Sequence, residues 1–133
     1  MNILIFVFNF LNKNMSTFRS LLIWQKSMTL VTEIYQLTNL FPKEEIYGLT
    51  SQIRRSSISI PSNIAEGYGR DGNNDYLRFL NISISSLFEM QTQLEISFNL
   101  KYINENQFNK INGESREIER MLSVFIRKIK ERK

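Results

Sequence analysis

Two adjacent arginines in the middle of the chain have the right chemistry to bind an anion. Arg54 and Arg55 would point about 100° apart on a helix, so one can face solvent while the other lies near a helix seam. A guanidinium can contact phosphate, which would make these residues nucleic-acid contacts. A long cation near a core is ordinarily paired with a carboxylate instead. The sequence leaves both interpretations open, and the carboxylates available as partners are Glu33, Glu66 and Glu89.

A second group of polar residues precedes a glycine-rich turn. Asn63, Glu66 and Arg70 follow each other at steps of three and four residues, which places them on one helical face. We interpret them as a capping and salt-bridge network that fixes the turn. Gly67 and Gly69 do not form a phosphate loop, because they follow a helix and no Gly-Lys-Ser/Thr comes after them. A catalytic role for Glu66 would need a second acid and a cleft.

The chain contains no histidine and no cysteine. It therefore lacks the commonest general base, the Ser-His and Cys-His nucleophile pairs, and any thiolate zinc site. We expect no enzyme activity, no metal, no cofactor and no small-molecule substrate; a carboxylate-dependent hydrolase is a remote alternative. Neither a spanning segment nor a signal peptide is evident, so we expect a cytoplasmic protein with no membrane role.

The net charge of +4 is concentrated near the end of the sequence. From Arg116 to Lys133 there are seven cations and three anions. These cations either favour the negative end of a helix dipole or form an anion-binding surface. The candidate nucleic-acid or partner-binding residues are Arg54, Arg55, Arg70, Arg78, Arg127, Lys128 and Lys130.

Four amphipathic segments with short connectors predict an all-α, up-down-up-down, left-handed four-helix bundle. The expected helices are Phe18–Leu40, a second one opened by Pro42 and closed by Gly67, Tyr76–Leu100, and Glu105–Lys130. Asn74 or Asp75 should cap the third helix and Asn104 the fourth. Pro61 should kink the second helix without breaking it.

The first helix shows one broad apolar face. Its main stripe is expected to be Leu21, Trp24, Met28, Val31 and Tyr35, and Leu30, Ile34, Leu37 and Phe41 widen it. The serines of the second and third helices should let those helices approach closely. This topology collects eight cations and four anions at one end of the bundle, which we call the basic pole. The cations are Arg19, Arg70, Arg78, Arg127, Lys128, Lys130, Arg132 and Lys133.

The first fourteen residues fall outside the helical pattern. The apolar run from Ile3 to Leu11 is far shorter than the roughly 20 residues that span a bilayer. We interpret residues 1–15 as an N-terminal extension and residues 16–133 as the bundle domain. The extension either precedes the natural start at Met15 or is a hydrophobic arm that packs on a partner subunit.

Several blocks of sequence, in order, resemble a known bacterial family. Their most specific part is the string Ser-Ile-Pro-Ser-Asn-Ile-Ala-Glu-Gly-x-Gly-Arg at residues 59–70. The other blocks are Leu22–Ser27, Phe41–Leu49, Gln52–Arg55 and Tyr76–Leu80. From about Phe18 to Lys130 the chain resembles the four-helix-bundle proteins named for open reading frames in 23S rRNA intervening sequences.

The resemblance implies a ring of bundles, with a homopentamer favoured, and it implies no catalysis. A relative of this family is the accessory protein of diversity-generating retroelements, in which a basic barrel is thought to engage a reverse transcriptase and nucleic acid. We therefore expect a self-assembling, non-enzymatic module that binds RNA, DNA or a nucleic-acid-handling protein. The alternative is a protein-protein scaffold with no nucleic-acid role, because no RNA-reading motif that combines aromatic and basic residues is present.

Overall fold

The structure is a computed structural model that describes residues 3–4 and 17–132. Between residues 17 and 132 the chain forms four long helices: α1 (Leu22–Thr38), α2 (Leu49–Tyr68), α3 (Asn73–Asn99) and α4 (Glu105–Lys130). Two 3-10 turns, Phe18–Ser20 and Lys43–Glu45, complete this part, which contains no strand. Each helix packs against the next, and α1 packs against α4. The prediction of an all-α four-helix bundle is confirmed.

The inward face of α1 differs from the main stripe expected from the sequence. The buried positions are Ile23, Ser27, Leu30, Ile34, Leu37 and Thr38. Met28 and Tyr35 of the predicted stripe are 43% and 37% exposed. A hydrophobicity pattern does not identify Ser27 as a buried position, because serine is polar. Its hydroxyl donates to the Ile23 carbonyl oxygen at 2.6 Å, so the side chain can be buried. Met28, Val31 and Tyr35 instead line a groove between α1 and α2.

The helix boundaries also differ from expectation at three places. Phe18–Ser20 is a separate 3-10 turn, whose cap is the Thr17 hydroxyl, and α1 starts only at Leu22. The second helix does not open at Pro42, because Gly48 has non-helical φ and ψ of −113° and −116° and α2 begins after it. Neither Asn74 nor Asp75 caps α3, which starts at Asn73 after an extended Gly72.

Helices α2 and α3 meet closely, as the serines predicted. The Ser83 hydroxyl donates to the Ile60 carbonyl oxygen at 2.9 Å, and the Ser59 and Ser86 hydroxyls are 2.7 Å apart. A Cβ added to Gly67 would lie 2.9 Å from Phe79 Cβ, so this position requires glycine. These hydrogen bonds satisfy polar groups inside the seam and fix its register.

Pro61 lies inside α2, and the helix continues through it. Proline has no N–H, so the Ser57 carbonyl cannot receive the usual bond from four residues onward. The Ser57 hydroxyl donates to the Arg54 carbonyl oxygen at 2.8 Å. The absence of a break agrees with the prediction.

The connector between α3 and α4 is held by local bonds at both ends. Lys101 adopts φ 65°, and the Tyr102 N–H donates to the Ser97 carbonyl oxygen at 3.0 Å, which closes α3 with a Schellman-type turn. Asn104 and Gln107 form a capping box that starts α4, as predicted for Asn104. Among the described residues, no helix is both long enough and apolar enough to cross a membrane.

Candidate binding surfaces

Arg54 is a half-buried clamp between α2 and the end of α1. Its Nε donates to Thr38 Oγ1 at 2.8 Å, and one terminal nitrogen donates to Asn39 Oδ1 at 3.1 Å. The guanidinium also lies 4.6 Å from the centre of the Tyr35 ring. These neutral partners orient the side chain and engage its Nε and one of its two terminal nitrogens.

The carboxylates proposed as partners of the two arginines have other contacts. Arg55 is exposed and pairs with no carboxylate in the described part of the chain. The pairing of Arg54 or Arg55 with Glu33, Glu66 or Glu89 is therefore wrong in this structure. Those carboxylates contact Lys110, Arg70 and Gln93, respectively, at 3.3, 3.0 and 3.3 Å.

The structure separates Asn63 from the other two members of the predicted turn network. Arg70 forms an ion pair with Glu66 at 3.0 Å, and both side chains are exposed. The Asn63 amide nitrogen instead donates to the Ser59 carbonyl oxygen at 2.8 Å and to its hydroxyl at 2.9 Å. Asn63 thus belongs to the polar seam between α2 and α3. It lies more than one helical turn before the end of α2 at Tyr68, and therefore away from the glycine-rich connector.

Arg70 and Arg78 converge on one aromatic ring at the basic pole. Their guanidinium carbons lie 4.8 and 4.5 Å from the centre of the Phe79 ring. Arg78 is also 3.8 Å from Asp75. Cation–π contacts at exposed sites are weak, at about 0.5–1 kcal/mol, so both cations remain available to solvent.

Three exposed cations occupy the last turn of α4. Arg127, Lys128 and Lys130 form no ion pair with any carboxylate of residues 3–4 and 17–132. The Asn73 side chain donates to the Arg132 carbonyl oxygen at 3.4 Å, which joins the start of α3 to the end of α4. The structure therefore brings these cations to the same end of the bundle as Arg70 and Arg78.

An apolar groove lies next to these cations, between α1 and α4. We call it the α1–α4 groove. Its volume is about 420 Å³. Its lining includes the cations Arg120 and Lys128, and its apolar lining residues are Leu21, Leu22, Ile23, Met121, Val124 and Phe125.

A second surface, the α1–α2 groove, runs between α1 and α2. It consists of two adjoining hollows of about 390 and 330 Å³ that share Ile58. The first hollow has a mainly apolar lining without a charged residue, whereas the lining of the second includes Arg54 and Arg55. Ile58 and Ile82 are 41% and 39% exposed, whereas Ile23 is buried in the core. The lining of the first hollow includes Trp24, Met28, Val31, Ile58, Pro61 and Ala65.

A charged cluster on the α1–α4 seam is not evident from sequence spacing. Lys110 lies 3.3 Å from Glu33 and 3.4 Å from Glu114. Burial, followed by the neighbouring Glu33 carboxylate, raises the pKa of Glu114 to about 6. The Glu33 Oε2 atom is buried with no hydrogen-bond partner among the described residues. Only the Lys110–Glu114 spacing of four residues could have pointed to this cluster.

The fold and these surfaces define a four-helix-bundle protein with exposed basic and apolar patches. The described residues contain no group of three or more His, Cys, Asp or Glu side chains that could hold a metal ion. The sequence matches the family described as 23S rRNA-intervening sequence protein over residues 19–124. The chain belongs to this family.

A solved structure with the same fold is similar to this chain. It is a protein of unknown function from the S23 ribosomal protein family of Bacteroides thetaiotaomicron VPI-5482. The two are 28% identical, with a TM-score of 0.71, and the match covers 79% of this chain and 98% of the other. No curated protein matches the sequence.

Proposed function

We propose that the protein is a non-enzymatic, self-assembling bundle, with a homopentamer favoured, that binds RNA or a nucleic-acid-handling partner in the cytoplasm. The observation that carries this proposal is the exposed cation cluster in the last turn of α4, which pairs with no carboxylate of the described residues. Its members are Arg127, Lys128 and Lys130. Cations that can reach phosphate oxygens release counterions from nucleic acid and so supply sequence-independent affinity.

The other candidate cations are less suited to this role. Arg54 already donates to Thr38 and Asn39, and the cations of Arg70 and Arg78 are next to carboxylates. Arg55 is exposed and lies outside the basic pole. We therefore assign the principal contacts to α4. The lack of histidine and cysteine supports the non-enzymatic part of the proposal.

Replacing Arg127, Lys128 and Lys130 together by Gln tests this assignment. Gln is also a good helix former, so helicity should hold while affinity for RNA and duplex DNA falls. The salt dependence of binding to duplex DNA should become shallower by up to about 0.9 for each phosphate that the protein no longer neutralises. The matched control replaces three exposed cations outside the α4 cluster, Lys43, Lys101 and Arg116, by Gln and removes the same charge. Equally weakened binding in both variants would contradict a localised site.

The second candidate function is a protein-protein scaffold. The two apolar grooves favour it, because exposed apolar patches commonly mark contact surfaces. Self-assembly is common to both candidates and is tested by light scattering of the full chain at micromolar concentration. A mass of 15.8 kDa, that of one chain, would refute it.

A further inference from the structure

We infer that the α1–α4 groove of one copy of the chain binds the outer face of α3 of a second copy. The outer face of α3 is its exposed stripe, which contains Ile82, Phe88, Glu89, Glu95 and Ile96. This inference rests on the self-assembly in the proposed function and names the two surfaces that meet when the copies assemble.

The α1–α4 groove is an uncovered apolar surface on a single chain. Leu22 and Val124 of its lining are 55% and 40% exposed. Its cations, Arg120 and Lys128, are also exposed, and neither forms an ion pair with a carboxylate of the described residues. A purely apolar partner would cover these cations without pairing them, which costs free energy. The groove therefore favours a partner that offers apolar side chains and negative charge together.

The outer face of α3 has this combination. Ile82, Phe88 and Ile96 are 39%, 46% and 42% exposed, and at about 100° per residue they fall within an arc of about 120°. Between Ile82 and Ile96 the only charged residues are Glu89 and Glu95, which lie on or next to this arc. Both glutamates are exposed, and neither forms an ion pair with a cation of the described residues.

The two surfaces have compatible dimensions. The apolar stripe of α3 is about 21 Å long, and the groove measures about 12 Å along α4 from Arg120 to Lys128. Glu89 and Glu95 are about 9 Å apart along the axis of α3, which is close to the separation of the two cations. Each carboxylate can therefore approach one cation while apolar side chains of α3 fill the groove.

Charge also determines how the copies combine. Contact of groove with groove would bring the cations of two copies together, and contact of α3 with α3 would do the same for the carboxylates, so both are unfavourable. Contact of groove with α3 pairs opposite charges. It joins two different surfaces, so it repeats from copy to copy and forms a closed ring or a filament. Because α3 contributes no residue to the groove lining, one copy can use both surfaces at once, and a ring of five copies requires a contact of this kind.

The α1–α2 groove is less suited to an acidic helix face. Its first hollow contains no charged residue that could pair with the carboxylates of α3. In its second hollow the Arg54 guanidinium already donates to Thr38 and Asn39, so Arg55 is the cation that remains. The α1–α4 groove has two cations that pair with no carboxylate of residues 3–4 and 17–132, and it has the larger volume.

The experiment uses two full-length variants, each of which removes one surface. Val124→Asp places a carboxylate in the groove, and Phe88→Asp places one on the outer face of α3. Both side chains are exposed, so the helices should form, and circular dichroism verifies this. By light scattering, each variant alone should have the 15.8 kDa mass of one chain. The matched control, Ile58→Asp, adds the same charge at a similarly exposed residue of the α1–α2 groove and should keep the mass of the unaltered protein.

Mixing the two variants tests the pairing of the surfaces directly. Val124→Asp retains its α3 face and Phe88→Asp retains its groove, so the mixture should form a pair with twice the mass of one chain and nothing larger. The mixture is measured at high protein concentration, because a single contact lacks the support of a closed ring. A helical variant that keeps the full mass of the unaltered protein would overturn the inference, and so would a mixture of helical variants that does not pair. If the unaltered protein is itself a single chain, the proposed self-assembly fails as well.

Charge reversal provides a second test that leaves the apolar residues in place. R120E/K128E should lower the mass, because the groove then repels the carboxylates of α3. Adding E89K/E95K to the same chain should restore the mass, because the reversed charges attract each other again. A mass that does not fall with the first pair of substitutions, or does not recover with the second, would contradict the inference while leaving self-assembly intact.

Discussion

Removal of the Arg54 side-chain charge should destabilise the bundle, although Arg54 pairs with no carboxylate of the described residues. Arg54→Gln removes a part-buried bond to Thr38, a more exposed bond to Asn39 and a contact with the Tyr35 ring. A bond from a charged donor contributes about 1.5–3 kcal/mol, and partial exposure reduces this. An exposed cation–π contact adds about 0.5–1 kcal/mol. The expected decrease in the free energy of unfolding is therefore about 2 kcal/mol.

The matched control is the neighbouring Arg55→Gln. Arg55 is exposed and has no ion-pair partner among the described residues, so its replacement should change stability by no more than about 0.5 kcal/mol. Urea unfolding followed by circular dichroism at one fixed protein concentration measures both, because assembly makes stability depend on concentration. Equal stability of the two variants would refute the clamp interpretation. Weaker nucleic-acid binding by Arg54→Gln at unchanged stability would instead support a phosphate contact.

Three further substitutions, two of them with a comparison variant, test the packing and the electrostatics. Gly67→Ala should lower the free energy of unfolding by about 1–3 kcal/mol, because the new methyl group overlaps aromatic side chains of α3. Gly113→Ala, whose methyl group meets nothing within 4 Å, should instead stabilise α4 by up to about 1 kcal/mol. Thermal unfolding measures both. Lys101→Gly should stabilise by about 1 kcal/mol in urea, because it removes a side chain from the left-handed region at φ 65°; a destabilised variant would contradict this. The raised pKa of Glu114, about 6 against 4.5, means that the folded state holds this proton more tightly, so the contribution of Glu114 to stability falls as pH rises from about 4.5 through 6. Thermal unfolding of Glu114→Gln should therefore improve relative to the unaltered protein over that range, by about 1 kcal/mol after discounting for solvent screening, and the exposed Glu95→Gln should show no such trend.

The sequence predicts most of the architecture, because apolar residues recur at steps of three and four along each helix and so fall on one face. The bounds of α4 are as predicted, since Asn104 provides a clear cap and Gln107 completes the box. On α1 the prediction was wrong for Met28 and Tyr35, which are exposed, whereas Leu30, Ile34 and Leu37 are buried as expected. Ser27 is also buried, because its hydroxyl donates to the Ile23 carbonyl oxygen, and a serine does not indicate a core position in a hydrophobicity pattern. Hydrophobicity alone cannot show which part of a broad apolar face the rest of the bundle covers.

The predictions for individual side chains were less successful where a partner is distant in sequence. Arg54 binds neutral oxygens of Thr38 and Asn39, and a search for carboxylates cannot identify such partners. The Glu33–Lys110 contact joins α1 to α4 and depends on how those helices are rotated. The cation cluster of α4 could be proposed from composition, because helix-end cations are local in sequence.

The salt dependence of nucleic-acid binding by the unaltered protein tests the central claim most directly. A fluorescently labelled single-stranded RNA and a DNA duplex of the same length would each be titrated at several salt concentrations. The proposed function predicts binding at low ionic strength and a steep linear fall in log affinity with log salt concentration, because displaced counterions return to the phosphates. Absence of salt-sensitive binding to both nucleic acids at low ionic strength would contradict the claim, and the scaffold function would then stand.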